Sequence, residues 1–560
     1  MSTLCKMGAQ IVYIWDHSIK LFLHLPVHCP MHLSDLPPEL FLNIAAHLPL
    51  YAVPSTLLSL ASTNHRLYGI AYPLLHSHLI LKNEEDTLCV LGRLIDDANL
   101  GRFVRGIHLT TALSREVRLD HARLDVVRTL QKLIHSGNIP NLSTLEVHLL
   151  LYSWYEETDP ETGIYTDFEG FGEFRNGFWK SLQRFCPQLK NIAVTGIRDT
   201  DDGYLNQSGI FELQAFPNVT CFTVSLSSPH FDDDGVERLR RSVSVLSGRL
   251  RTLNVTLTML ATEVTFDGFL DLTFPCLESL GLTGWVLNDR SKMMEFWQRH
   301  QNLHSISLVN RQEIAWFLDS AGVTGDLLPK LKILRASFIN VRNLAPILHR
   351  LLKLEILASF NAQVPYLLRY VLPSGIPKLK SLLIEQASGY SGNFRVLEGA
   401  HWYETADGEF KEADKFGKSR YFKSMTDGYL HSIVRGAPNL EELALKGPDL
   451  NMANHRRFMR GLSNFEHLKA LFVPYIPGPI VEMKDGEKEQ FRSLAMKTAR
   501  ACPTLEVFGN FNNEEEPRYL IARIRREGMS DDIGADMTIG HGMVLGQEDQ
   551  AFPLTRPRLL

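Results

Sequence analysis

Four residues near the N-terminus have the types that bind a transition metal: His24, His28, Cys29 and His32. His24 and His28 stand four apart, a spacing that puts two imidazoles on one face of a helix. Pro26 and Pro30 break any helix there, and no carboxylate lies between the two histidines, so no metal site is expected. Asp232, Asp233 and Asp234 form an acidic run of the kind that holds a cation. It stands ahead of an apolar stripe, Val236, Leu239 and Val243, and reads better as a helix N-terminus, where negative charge is favoured. The seven cysteines are Cys5, Cys29, Cys89, Cys186, Cys221, Cys276 and Cys502. No two have C-x2-C or C-x4-C spacing, which excludes the zinc ribbon, the RING finger and the thioredoxin-like motif. Cys186, Cys276 and Cys502 each adjoin a proline just before an apolar anchor, a placement that suits packing rather than catalysis. There is no Walker loop, no G-x-S-x-G, no H-E-x-x-H and no kinase signature. The chain is therefore expected to be no enzyme, with no catalytic residue, metal or cofactor.

The rest of the composition is that of a protein with a core. Hydrophobic residues make up 44% and charged residues 22%, enough to bury and enough to solvate. A net charge of −5 over 560 residues argues against a whole-protein nucleic-acid binder. An odd, scattered set of cysteines points to reduced thiols in the cytoplasm or nucleus. Four N-x-[ST] sequons, at Asn141, Asn206, Asn218 and Asn254, are a number that chance supplies. The apolar stretch from Gln10 to Leu25 is broken by Asp16, His17 and Lys20. It is too short and polar to span a bilayer and lacks the small-residue cleavage pattern of a secretory signal. Residues 1–30 are expected to be a weakly structured extension, and no membrane partner is expected.

Residues 31–80 are expected to form a helical module. Ser34 and Asp35 are capping types, Pro37 and Pro38 suit a first helical turn, and Glu39 suits the dipole there. Leu40, Ile44 and Leu48 then repeat at i, i+4 and i+8, and Pro49 ends the stripe. A second helix opens at Pro54 and Ser55 with Leu57, Leu58, Leu60 and Ala61. A third runs from about Asn64 to Tyr72 and is stopped or kinked by Pro73.

The run Leu36-Pro37-Pro38-Glu39-Leu40, with Ile44 and Leu48, is followed by Leu57-Leu58-Ser59-Leu60-Ala61-Ser62-Thr63-Asn64-His65-Arg66-Leu67 and by Ala71-Tyr72-Pro73-Leu74-Leu75. Together these resemble an F-box of the style found in large fungal F-box families. Ala61-Ser62-Thr63 stands where the best-known animal pattern has Val-Cys-Arg/Lys, and no Trp follows. The resemblance implies three helices that pack on a Skp-family adaptor, which links them to a cullin–RING ubiquitin ligase. Leu36, Pro37, Leu40, Ile44 and Leu60 are then expected at the adaptor interface. About forty residues of short helices bury little core alone and need outside support.

Beyond residue 100 one pattern keeps returning: (Pro)-x-Leu-x-x-Leu-x-Leu. It appears as Pro140-Asn141-Leu142 with Leu145 and Val147, and as Pro187-Gln188-Leu189 with Ile192 and Val194. It recurs at Val219, Leu250, Leu277, Leu303, Leu331, Leu354, Leu379, Leu440, Leu468 and Leu505. Anchors from Val219 to Leu379 fall 23 to 31 residues apart, close to the period of about 20–29 that marks leucine-rich repeats. Each L-x-x-L-x-L supplies a short strand with its leucines inward. The linking segments, such as Met293–His300 and Val341–Leu352, supply outer helices, and stacked neighbours bury the apolar edges. The expected fold is α/β: a short N-terminal F-box, then a leucine-rich-repeat solenoid over 81–527, a horseshoe of parallel strands with outer helices.

Two intervals break the rhythm. Leu142 to Leu189 holds the aromatic, acidic stretch Tyr152–Pro160, and Leu379 to Leu440 holds His401-Trp402-Tyr403-Glu404 and a mixed-charge run from Asp407 to Lys423. Insertions are expected near 150–180 and 388–430, either as recognition loops or as degenerate repeats. Residues 528–560, glycine-rich without a period, are expected to be a disordered tail.

These readings lead to a substrate-recognition subunit of a Skp–cullin–F-box type ligase, binding an unidentified target protein through the repeats. The first alternative is a non-ligase interaction scaffold whose F-box-like helices cap the solenoid. The second is an enzyme with its site in an insertion.

Overall fold

A computed structural model describes residues 37, 40–41, 53–81, 84–111, 120–149, 176–198, 216–227, 233–258, 264–309, 315–317, 322–359, 363–386, 402–404, 410–412, 425–446, 455–473, 485–511, 518–526 and 533–541. The expected 1–30 extension lies outside them, as do residues 150–175 of the insertion expected near 150–180, whose last residues, 176–180, open a helix.

Two helices come first, α1 (Val53–Ala61) and α2 (His65–Leu75). A sheet of sixteen strands then runs nearly the length of the chain. Its strands, in order, are β1 (His78–Leu81), β2 (Gly106–Thr111), β3 (Thr144–Leu149), β4 (Asn191–Arg198), β5 (Cys221–Ser227) and β6 (Thr252–Thr258). They continue with β7 (Ser279–Thr283), β8 (Ser305–Val309), β9 (Ile333–Ser337), β10 (Lys353–Ser359) and β11 (Ser381–Gln386). A separate antiparallel hairpin, β12 (Trp402–Glu404) and β13 (Phe410–Glu412), lies inside the second insertion. The sheet resumes with β14 (Glu442–Lys446), β15 (Ala470–Val473), β16 (Val507–Phe511), β17 (Arg518–Arg526) and β18 (Ile533–His541). From β1 to β16 each strand pairs in parallel with the next, and the two ends of the sheet do not meet. The result is an open α/β solenoid that resembles leucine-rich repeats.

The register explains the sequence pattern. Phe222, Leu253, Leu280, Ile306 and Leu334 stand side by side on successive strands, all within 1% of full burial. Each anchor leucine precedes its strand by two residues, as Leu277 precedes Ser279 and Leu440 precedes Glu442. Helices cover the leucine side: α3 (Glu84–Asp96), α4 (Asp120–Ser136), α5 (Asn176–Phe185), α6 (Asp233–Leu246), α7 (Arg290–Arg299), α8 (Met425–Gly436), α9 (His455–Leu462) and α10 (Asp485–Ala501). Asp233 and Asp234 of the acidic run do open a helix, α6, whose Leu239 and Val243 are fully buried. Between β6 and β7, and again from β9 to β11, the covering segments shorten to brief α, 3-10 and π turns. Bulky rings fill the space there, with Phe266, Trp285, Phe296, Trp297 and Trp316 buried together.

Two hydrogen-bond devices stitch neighbouring repeats. At each strand entry two consecutive amides donate to one carbonyl of the repeat before. Glu278 and Ser279 donate to Arg251 O, and His304 and Ser305 to Glu278 O. The same rung recurs down to Glu506 and Val507 on Lys469 O. The second device explains the Pro-Asn-Leu spelling. The Asn before the anchor donates across to a backbone carbonyl of the preceding repeat: Asn218 to Pro187 O, Asn302 to Pro275 O and Asn439 to Pro377 O, at 2.9, 3.0 and 2.9 Å. Replacing Asn302 or Asn439 by Ala is expected to cost about 1 kcal/mol each, the net worth of one hydrogen bond. The urea midpoint of unfolding checks this, and Asp at the same position, which cannot donate, is expected to fare no better.

Four sequence expectations need correction. The anchor between Leu331 and Leu379 is Leu351, not Leu354. Leu354 pairs with Leu334 and so holds the second leucine position. The solenoid starts with β1 at His78, three residues ahead of the expected 81, and β1 and β2 both precede the first Pro-x-Leu signal. Val104, Ile107 and Leu109, all fully buried, carry the spacing without the proline. The tail expected to be disordered from 528 contributes β18, which pairs antiparallel with β17 over nine residues. This meander closes the open end of the parallel sheet, with β17 antiparallel to β16. Finally, Cys276 is exposed, whereas Cys186 and Cys502 are buried as expected of packing residues.

Candidate functional site

The N-terminal helices form a unit of their own. Phe41, Leu57, Leu60, Leu67 and Ala71 make a small buried cluster, separate from the long core of the repeats. The turn between α1 and α2 is tightly held. The Ser62 and Thr63 hydroxyls donate to Leu58 O and Leu60 O, each at 2.6 Å, and the Asn64 side chain caps α2 by accepting from Leu67 N–H at 2.8 Å. That is the chemistry of Ala61-Ser62-Thr63-Asn64: two hydroxyls end one helix and a carboxamide starts the next.

Inward positions on these helices leave others pointing out. Among the described residues six large hydrophobic side chains are exposed, and three of them belong to this small unit: Leu40, Leu58 and Tyr68, at 42%, 59% and 45%. Burying one such side chain stabilises by roughly 1.5–3 kcal/mol, so a trio is a strong reason to find a partner. Of the residues expected at an interface, Pro37 and Leu40 are exposed, whereas Leu60 is 8% exposed and lies inside the unit. Leu36 and Ile44 lie outside the described residues. Leu58 and Tyr68 carry a signal that was missed. Each directly follows or precedes core positions at helical spacing, Leu57 and Leu60 or Leu67 and Ala71, and so falls on the opposite face.

The other side of the unit joins the solenoid. Tyr72 packs edge-on against Phe103 at 6.0 Å, and Ser77 O accepts from the amides of Arg105 and Gly106. Three residues after α2 ends, the chain enters β1.

Chemistry-bearing groups elsewhere are structural. Among the described residues no three His, Cys, Asp or Glu side chains gather to hold a metal ion, and residues 24–32 lie outside them. Glu146, His108 and His78 form a chain on β3, β2 and β1. Glu146 accepts from His108 Nδ1 at 2.7 Å, and His108 Nε2 faces His78 Nδ1 at 3.4 Å. Burial brings the His78 pKa down to about 4, so its imidazole stays uncharged at neutral pH. Burial also pushes the Cys186 thiol up to about 12 and raises Cys502, the opposite of what a nucleophile needs. A cavity of about 370 Å³ lies between Lys380, Glu441, Lys469, Glu506 and Arg526. Three of its charges satisfy one another: Glu441 bridges Lys380 and Lys469 at 2.8 and 2.9 Å, which holds its carboxyl below the usual range. No described helix is long and apolar enough to cross a membrane.

No family model matches the chain, and no curated protein matches it. Among solved structures it is similar to a chain in the crystal structure of the Rad7 and Elc1 complex in yeast. The identity is 13%, over 77% of this chain and 88% of that one, with a TM-score of 0.38. It is also similar, at 13% identity, to a chain in the TLR13–ssRNA13 complex, over 67% of this chain and 62% of that one, with a TM-score of 0.18. At these scores neither likeness decides a function. What stands out in the molecule itself is an apolar-faced helical unit fixed to the end of a long repeat array.

Proposed function

We propose that this chain is the substrate-recognition subunit of a Skp–cullin–F-box type ubiquitin ligase. The N-terminal helices dock a Skp-family adaptor, and the repeats hold a target protein. The chain works by proximity and makes or breaks no bond itself. The observation that carries this reading is the exposed trio Leu40, Leu58 and Tyr68 on a small unit whose described core is Phe41, Leu57, Leu60, Leu67 and Ala71. A unit that small gains support from an adaptor that covers its outer face. Such ligases assemble in the cytoplasm or nucleus, which agrees with the unpaired cysteines Cys89, Cys186, Cys221, Cys276 and Cys502.

A second reading rests on the seam between α2 and β1. Solenoids need covered ends, and Tyr72 against Phe103 makes the helices a cap for the first repeat. An interaction scaffold would need nothing more. Co-expression with a Skp-family adaptor and size-exclusion chromatography separate the two. An equimolar complex is expected from the wild type. Leu40→Asp with Leu58→Asp is expected to weaken it by about 100-fold, because each aspartate would be desolvated in the interface. Both positions are exposed in the free chain, so the variant is expected to fold as the wild type does. A well-folded wild type that elutes without adaptor leaves the cap reading standing and ends the ligase one.

A further inference from the structure

The helix-free face of the sheet changes character along its length. On β9 and β10 it carries Arg335, Lys353 and Glu355, and on β14 it carries Glu442. Serines on β8, Ser305 and Ser307, are 6% and 5% exposed and Glu355 is 2% exposed, while Val309, Ile333, Arg335, Lys353 and Glu442 are half-buried, so from β8 onward this face mixes buried and half-buried positions. On β5, β6 and β7 it is half-buried almost throughout and carries no charge. The alternation that buries Phe222, Leu253 and Leu280 turns nine positions outward over the first five residues of these three strands. Not one is charged or aromatic. Six are serine or threonine, one is Asn254, and the remaining two are Cys221 and Gly281. All but Gly281 are partly exposed. In a chain with 22% charged residues, an accessible sheet face without a charge is a marked departure.

The lining is also pre-ordered. Asn254 Nδ2 donates to Thr223 Oγ1 at 3.3 Å, and on the neighbouring strands Asn191 Nδ2 donates to Thr144 Oγ1 at 3.1 Å. A hydroxyl that accepts from a carboxamide keeps its own proton to give. Asn254 lies across Gly281, where any Cβ would stand 2.4 Å from Asn254 Oδ1. The glycine therefore keeps the middle of the patch flat.

Such a surface selects by what it cannot satisfy. A charged partner side chain would be desolvated with no counter-charge beside it. An apolar one would bury hydroxyls without partners, at about 1–3 kcal/mol per group. Backbone amides, hydroxyls and carboxamides meet neither cost. Three strands at roughly 4.8 Å spacing and five residues at roughly 3.3 Å rise make a patch of about 10 by 14 Å, room for about four residues of extended chain. We propose that β5–β7 bind a short, uncharged, Ser/Thr/Asn/Gln/Gly-type segment of a target protein. This rests on the receptor reading only in taking the ligand to be a target's segment.

The experiment uses the full chain, immobilised, and a display library of random heptapeptides. Enriched peptides are expected to be poor in Asp, Glu, Lys and Arg and rich in Ser, Thr, Asn, Gln and Gly. Their synthetic copies are expected to lose at least tenfold in affinity to Thr256→Lys and severalfold to Thr256→Val. Thr256 is half-exposed and points away from the core, so both variants keep the thermal midpoint. Raising NaCl from roughly 0.05 to 0.5 M is expected to change the wild-type Kd less than about twofold, since no charge is there to screen. Enrichment of charged peptides, no enrichment, binding unchanged in Thr256→Lys, or binding of neutral oligosaccharides in place of peptides overturns the proposal. Adaptor co-elution, measured on Thr256→Lys, is expected to match the wild type. The fate of this inference is thus read apart from that of adaptor docking.

Discussion

Replacing Glu355 by Leu is expected to destabilise the chain by about 3 kcal/mol, one of the largest effects open to a single substitution on the sheet. The Glu355 side chain is 3% exposed and lies between two cations, Arg335 at 3.4 Å and Lys353 at 3.0 Å. Those cations are themselves 13% and 16% exposed. Removing the carboxylate leaves two poorly solvated positive charges on adjacent strands. The loss comes from two half-buried cations left with one carboxylate fewer rather than from a strong attraction given up, and a second variant separates these causes. Arg335→Met, Lys353→Met and Glu355→Leu together remove all three charges and are expected to recover most of the stability. Urea unfolding of the two variants and the wild type reads the difference. A single variant within 1 kcal/mol of the wild type would mean that solvent reaches the triad.

Acid is expected to weaken the middle of the solenoid through one histidine. His300 ends α7, is 2% exposed, and has both ring nitrogens occupied. Its Nδ1–H donates to Phe296 O at 2.6 Å, and its Nε2 accepts from Phe274 N–H at 2.8 Å. Protonating Nε2 would break the second bond and put a charge among Phe274 and Phe296. Burial, the largest cause, accordingly lowers its pKa from 6.5 to about 4. Between those values the unfolded chain takes up a proton and the folded chain does not. Stability is therefore complete above pH 6.5 and falls as the pH drops toward 4, by about 3 kcal/mol in all. His78, lowered to about 4 as well, acts in the same direction. His300→Asn, which can both donate and accept, is expected to flatten the part of the profile due to His300. Thermal midpoints from pH 4 to 7.5 for both proteins check this, and parallel profiles would refute it.

Much of the repeat architecture was legible because the same six-residue spelling returns at each strand and few other folds require it. The register slipped at one repeat for a physical reason. Leu351, Leu354 and Leu357 are themselves spaced by threes, so the anchor could be read one step late. Burial settles it, since Leu351 and Leu354 are both fully buried in the long core, while Leu357 packs on the opposite face. β1 and β2 were hidden because their repeats lack the proline that punctuates the later ones. β18 was hidden because Gly534 and Gly540 sit in an antiparallel edge strand whose composition resembles a tail. In the candidate site the capping residues of the helices were readable. Which leucine faces outward was harder to read, since Leu57, Leu58 and Leu60 have the same chemistry and differ only in angle around one helix.

The rung at each strand entry has a consequence for how such a chain grows. The two paired amides and the anchor two residues ahead tie the entry of every strand to the repeat before it, so that side admits no change of length. The described strand exits carry no such recurring pair of bonds, only single ones such as Gly284 N–H to Val309 O. From Gln386 the chain runs to Met425 before the next long helix, yet β14 still enters in register beside β11. Length variation is thereby channelled to one rim of the ribbon. Along that rim material can be added or lost while the spacing of the strands, and with it the geometry of the opposite rim, stays the same.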